Sequence, residues 1–192
     1  MANDKKFPTH YTDYLRKSAI TRRTDALPLL ARFCNRYRLA ESFEGMIAPD
    51  VGKTLAGYDV LTKIFLAYTA YEAVVKAARS LRLRDISDPA LNASLNPVLA
   101  VRLRENFKLM KYLATQDFGT ELKNKINLFI DGTTDDIVCV AYGLRNKFAH
   151  GDLTASAVST SKKKHRDDLL DLADGILDYS DELFDKCISR LN

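Results

Sequence analysis

The sequence predicts an all-α protein: an antiparallel helical bundle of five or six helices with an N-terminal helical extension. Three observations lead there. Apolar residues recur at three- and four-residue spacing through most of the chain, the mark of a single buried stripe on each helix. No segment alternates apolar and polar residues long enough to make a half-buried strand. Finally, 192 residues that are 46% hydrophobic and 28% charged, with only 8 Gly and 5 Pro, describe an ordinary soluble globular domain. Such a chain buries roughly 70% of its unfolded surface without a metal or disulfide staple.

The elements follow in order. Tyr11 to Ala19 reads as one short helix. Asp25 as a cap, Pro28 in the first turn, and Leu27, Leu30, Cys34 and Tyr37 at helical spacing predict a second helix running to about Gly45. Ile47 to Gly57 links this basic extension, residues 1–50, to a bundle over residues 58–192. The strongest helix is predicted over Tyr58 to Leu83, with Leu61, Phe65, Tyr68 and Val75 on one side and Lys63, Glu72, Lys76 and Arg79 as polar positions. A loop around Ser87-Asp88-Pro89 and Asn92 to Asn96 ends where Asn96 caps a helix opened by Pro97 and predicted to reach about Thr115.

A shorter helix over Phe118 to Ile130 stops at Asp131-Gly132. Thr133 or Thr134 then caps a helix that carries Ile137, Val140, Ala141, Leu144 and Phe148 on one stripe and ends near His150-Gly151. Asp152 to Ser161 form a loop, and Lys162-Lys163-Lys164 lead into a last helix reaching about Ile188. On it Asp167, Asp171, Asp174, Asp178, Asp181 and Asp185 step by four and three along one solvent-side stripe, opposite Leu169, Leu172, Ile176, Tyr179 and Leu183.

Charge and cysteine usage bound the function. The net charge is +4 but uneven: residues 1–38 hold nine Lys/Arg against three Asp, and residues 163–192 hold five against eight acids. Arg22, Arg23, Arg32 and Arg36 near the N-terminus, with Arg102 and Arg104 further on, form candidate nucleic-acid contacts, with pairing to the acidic helix as the alternative. Cys34, Cys139 and Cys187 sit in apolar helical surroundings and read as buried free thiols of a cytoplasmic chain. No stretch suits a signal peptide or a membrane span. His10, His150 and His165 lie far apart without ligand spacing, so neither a metal nor another cofactor is expected. Val51-Gly52-Lys53-Thr54 resembles the end of a phosphate-binding loop, but Ile47 stands where that loop needs a further glycine.

The segment Leu144-Arg145-Asn146-Lys147-Phe148-Ala149-His150-Gly151 carries complementary chemistry. Arginine is a permanent cation whose planar fork binds phosphate, and histidine exchanges a proton near neutral pH. RNA cleavage by its own 2′-hydroxyl needs those two abilities and no metal. Five steps of α-helix rotate by about 140° and rise about 7.5 Å, so Arg145 and His150 meet only if the helix ends at His150, or if a second copy faces the first. A structural role, with the arginine capping carbonyls and the histidine closing the helix, is the alternative.

Arg145-Asn146-x-x-x-His150 resembles the R-x4–6-H signature of the HEPN superfamily (higher eukaryotes and prokaryotes nucleotide-binding). Tyr68 to Ala78 is similar to the first core helix of those domains, and the motif falls late, before a final long helix, as in the family. The resemblance implies a helical bundle that homodimerises with its two motifs facing each other. It also implies a metal-independent endoribonuclease of toxin or antiviral-defence type, paired with an antitoxin or regulatory protein. By position, His150 is the acid/base, Arg145 the phosphate binder, Asn146 a polar support and Glu72 a residue orienting Arg145. Asp152 stands where the commoner toxin pattern has tyrosine, and non-catalytic members of the superfamily bind nucleotides or proteins.

Overall fold

A computed structural model of the chain describes residues 7–21, 24–47, 54–83 and 96–191. The described residues are all-helical, without a strand. In chain order they form α1 (Tyr11–Ile20), α2 (Ala26–Glu41), α3 (Leu55–Ser80), α4 (Pro97–Arg104), α5 (Phe107–Thr115), α6 (Thr120–Ile130), α7 (Ile137–Ala149), a 3-10 turn (Ala155–Val158) and α8 (Lys163–Ser189). No described helix is long and apolar enough to cross a membrane. Arg22, Arg23, the phosphate-loop-like residues 51–53 and the loop around Pro89 lie outside the described residues.

Among the described residues there are eight α-helices, two of them in the N-terminal extension, against seven helical segments read along the sequence, and the difference is a break near the middle. The helix predicted from Pro97 to Thr115 splits because Asn106 caps a new one. Its Oδ1 accepts from Leu109 N–H at 3.2 Å, and its Nδ2 donates to the Val158 carbonyl at 3.0 Å. Asparagine satisfies backbone groups at a helix start better than inside a helix. At Asn96-Pro97 the expected cap forms, Asn96 Oδ1 accepting from Leu99 N–H at 2.9 Å.

Two other caps differ from expectation. Asp25 precedes α2 but makes no side-chain cap bond, and α2 ends at Glu41 rather than near Gly45. Neither Thr133 nor Thr134 caps α7; Asp136 does, as described below.

The residues group into two compact units, and α3 and α8 each contribute to both. The first comprises the described residues within 1–43, 66–88 and 176–192, so the N-terminal helices pack with segments from later in the chain rather than by themselves. Tyr14, Leu30, Phe33, Cys34 and Tyr37 are buried there with Phe184, whose ring lies 4.9 Å from that of Phe33 and 5.8 Å from that of Tyr14. Lys17 Nζ donates to the carbonyls of Ile188 and Leu191 at 2.9 and 3.1 Å, supplying a cation where the end of α8 leaves acceptors unpaired.

The second unit comprises the described residues within 44–65 and 89–175. Its core is built from Leu99, Leu103, Leu109, Leu113, Ile126, Phe129, Val140, Leu144 and Leu169, all essentially inaccessible to solvent. Gly143 sets the closeness of α7 to its neighbours: a Cβ there would meet Ile126, Leu113 and Phe118 at 3.2 to 3.3 Å. The helix that carries Arg145 and His150 is therefore packed tightly on its inner side.

Candidate functional site at the end of α7

The motif helix is fixed at both ends by local chemistry. At its start Asp136 accepts from Val138 N–H at 3.0 Å and Cys139 N–H at 3.3 Å. Burial pushes the Asp136 carboxyl above the usual range, while the bonds from Cys139 and Val138 pull the other way. Arg104 secures the turn between α6 and α7. Its Nε donates to Phe129 O at 2.8 Å, its Nη2 to Thr134 O at 2.6 Å, and it pairs with Asp135. Arg104 is thus a positioning residue of the hairpin that presents the motif.

At the other end Gly151 adopts φ +78°, a left-handed conformation that costs glycine little. Its N–H donates to Phe148 O at 3.1 Å, and Asp152 N–H donates to Lys147 O at 2.9 Å, the paired bonds of a Schellman turn. Lys147 Nζ lies 3.4 Å from the Asp152 carboxylate and 5.5 Å from the centre of the Phe118 ring. The expected stop near His150-Gly151 forms as the glycine predicts.

His150 is the C-cap, exposed, with φ −89° and ψ −2°. Its own backbone is still right-handed helical, and the chain turns only after it. Arg145 and His150 therefore keep the rotation of about 140° that five helical steps impose, and the helix end does not bring them together within one chain. Arg145 is partly buried, its guanidinium carbon 6.0 Å from the centre of the Phe65 ring. Phe148 packs beside Phe65 and Tyr58, with ring centres 6.2 and 6.5 Å apart. Phe65 thereby serves both sides of the motif, as a platform for the arginine and a wall for the phenylalanine.

Asn146 lies on a different face. With Tyr142, one turn earlier, it lines a cleft of about 310 Å³ whose other wall is the beginning of α6, including Gly119, Thr120 and Lys125. Tyr142 was not among the sequence candidates. Its four-residue spacing from Asn146 is the signal that pairs them, but only the position of α6 makes that face a cleft.

The remaining candidates divide. Glu72 stands on the part of α3 that belongs to the first unit, whereas the motif belongs to the second. Arg32 is exposed on α2, and Arg36 Nη1 donates to Thr69 O at 2.9 Å. Arg102 donates from Nη2 to Asp171 at 2.6 Å and lies 3.5 Å from Asp168, the pairing with the acidic helix that was the alternative to phosphate contact. Among the described residues no three His, Cys, Asp or Glu side chains group as metal ligands. All three cysteines are buried free thiols.

No protein-family model matches this sequence, and neither curated proteins nor solved structures give a match.

Proposed function

We propose that this chain is a HEPN-like, RNA-directed protein that acts in the cytoplasm as a homodimeric, metal-independent endoribonuclease of toxin or antiviral-defence type. The observation that carries the reading is a proton-exchanging side chain and a phosphate-binding one on the last turns of one rigid helix, His150 exposed at its cap and Arg145 held against Phe65. In this reading His150 takes the proton from a ribose 2′-hydroxyl. The oxygen attacks the adjacent phosphorus, and the bond to the 5′-oxygen breaks as that oxygen gains a proton. Arg145 neutralises the charge that gathers on the phosphate oxygens. The products are a 2′,3′-cyclic phosphate and a 5′-hydroxyl. Since one chain holds the pair on different faces, the working site combines the motifs of two copies, and Asn146 is its polar support.

Incubating the full chain with labelled mixed-sequence RNA in excess EDTA tests this. Wild type cleaves, His150→Ala and Arg145→Ala do not, and a substrate with deoxyribose at the cleaved position is inert. His150 is exposed at a helix end, so its replacement shifts stability by no more than about 0.5 kcal/mol. Silence of the wild type refutes the nuclease reading. The separation of Arg145 from His150 in one chain then favours a non-catalytic module that binds a nucleotide or a regulatory protein.

A further inference from the structure

The cleft beside the motif has the chemistry of a nucleotide site. The loop joining α6 to α7 is short, and Phe118 lies by Lys147, so the two helices run antiparallel and the start of α6 sits beside the end of α7. That start carries the positive end of the helix dipole. Its cap residue, Gly119, makes no side-chain bond, and a Cβ on Gly119 would meet nothing within 4 Å, so this wall is open to solvent. Lys125 adds an ammonium group, held 2.9 Å from the Glu121 carboxylate in a pair exposed enough to exchange partners. Facing them, α7 presents the ring of Tyr142, 36% exposed, and the amide of Asn146.

We propose that this cleft binds one nucleotide of single-stranded RNA flanking the scissile phosphate. The base stacks on Tyr142, the Asn146 amide meets a polar edge of the base or ribose, and the phosphate lies toward Lys125. The inference rests on the RNA-directed reading of the Arg145–His150 motif, and Asn146 is the residue shared by motif and cleft. Size decides the stoichiometry. About 310 Å³ is at the small end of the range for ligand sites, roughly 300–1,000 Å³, so it admits one nucleotide and not a duplex. Stacking decides the strandedness, because only an unpaired base offers its face to an aromatic side chain. The cleft thus gives the motif a means of choosing single-stranded substrate without reading its sequence.

The test separates this site from the nuclease reading by measuring binding where cleavage is disabled. In full-length His150→Ala, the affinity for a short fluorescein-labelled single-stranded RNA is read by anisotropy at low salt in EDTA. Adding Tyr142→Ala weakens binding about tenfold or more, and Tyr142→Phe, which keeps the ring, restores most of it. Adding Gly119→Asp instead supplies a cap side chain and a negative charge to the cleft. It raises the melting temperature while weakening RNA binding, a combination that loss of folding cannot produce. Unchanged affinity in both Tyr142→Ala and Gly119→Asp overturns the cleft assignment, and so does failure of the His150→Ala parent to bind RNA. In either case cleavage by the wild type decides the nuclease reading separately.

Discussion

Gly57, near the start of α3, is the position where adding a single carbon most directly tests the packing of the segment that follows the motif. A Cβ there would lie 2.6 Å from the Cβ of Ala155 and 3.1 Å from the Cβ of Thr160, with Thr160 Oγ1 closer still. Ordinary carbon contacts are about 3.5–4.0 Å, so the turn must retreat by about 1 Å. It has little room to do so. Ala155 and Thr160 are each 3% exposed, and Thr160 Oγ1 donates to Ala155 O at 2.7 Å. Overpacking of this kind costs about 1–3 kcal/mol. The offset from replacing a helical glycine is at most about 1 kcal/mol, and less this close to the helix start. Gly57→Ala is therefore expected to destabilise by about 1–2 kcal/mol, lowering the melting temperature of a chain this size by about 2–8 °C. Gly175→Ala is the matched control. Its Cβ would meet only Ile137 Cδ1 at 3.7 Å, an ordinary contact, inside the 27-residue α8, so removing the glycine stabilises by about 0.5–1 kcal/mol. Thermal melts followed by far-UV circular dichroism read both. A Gly57→Ala protein as stable as wild type, or a Gly175→Ala protein destabilised to the same degree, refutes the packing argument.

Three further outcomes follow from buried polar groups. Asn106→Asp removes the donor to Val158 O and sets a carboxylate against that carbonyl in a site 1% exposed. It should cost about 2 kcal/mol or more at neutral pH and less where the acid is neutral, and an unchanged urea midpoint at neutral pH contradicts this. Burial pushes the thiols of Cys34 and Cys187 from the ordinary 9.0 up to about 12, and that of Cys139 higher still. A thiol reagent should therefore label none of the three at pH 8 until the chain is unfolded. Because the folded state keeps protons that the unfolded chain releases between pH 9.0 and about 12, stability should fall as pH rises through that window; a stability that rises there contradicts the burial.

What the sequence made legible was whatever a short stretch of chain decides for itself. Asn96-Pro97 opened a helix as read, Gly151 closed one, and of the apolar stripe Ile137, Val140, Ala141 and Leu144 are buried while Phe148 at its end is half-buried. The errors lie where a distant partner overrules local preference. Asn106 breaks a helix because Val158, far along the chain, accepts from its amide. The cap of α7 is the exception, a purely local competition in which the Asp136 carboxylate wins over Thr133 and Thr134 by accepting from the N–H groups of Val138 and Cys139 at once. At the site, the rotation between Arg145 and His150 followed from helix geometry alone. The neighbours that give the motif its surroundings did not. Phe65 and the start of α6 reach it only through the fold, and Tyr142 carried no sequence signal beyond its spacing from Asn146.

The charge asymmetry of the sequence also changes meaning once folded. In the second unit Lys63 reaches Asp174 at 2.7 Å, Lys164 reaches Glu105 at 2.7 Å, Lys163 reaches Asp167 at 3.0 Å, and Arg102 spans Asp168 and Asp171. In the first unit Asp181 accepts from Thr9 N–H at 2.9 Å, and Asp185 lies 3.6 Å from His10. Asp168, Asp171, Asp174, Asp181 and Asp185 of α8 thus anchor other segments of their own units, while Asp167 pairs within the helix. Apart from the buried Asp168, these pairs are exposed or partly exposed and contribute about 0–1 kcal/mol each, so their weight is in orientation more than in stability. A cation held by a carboxylate of its own fold meets a phosphate only by giving up that carboxylate, which removes much of the gain. Arg102 and Arg104 are occupied in this way, one on α8 and one on the turn before α7. The basic surface that an anionic strand can use is therefore narrower than the sequence count suggests.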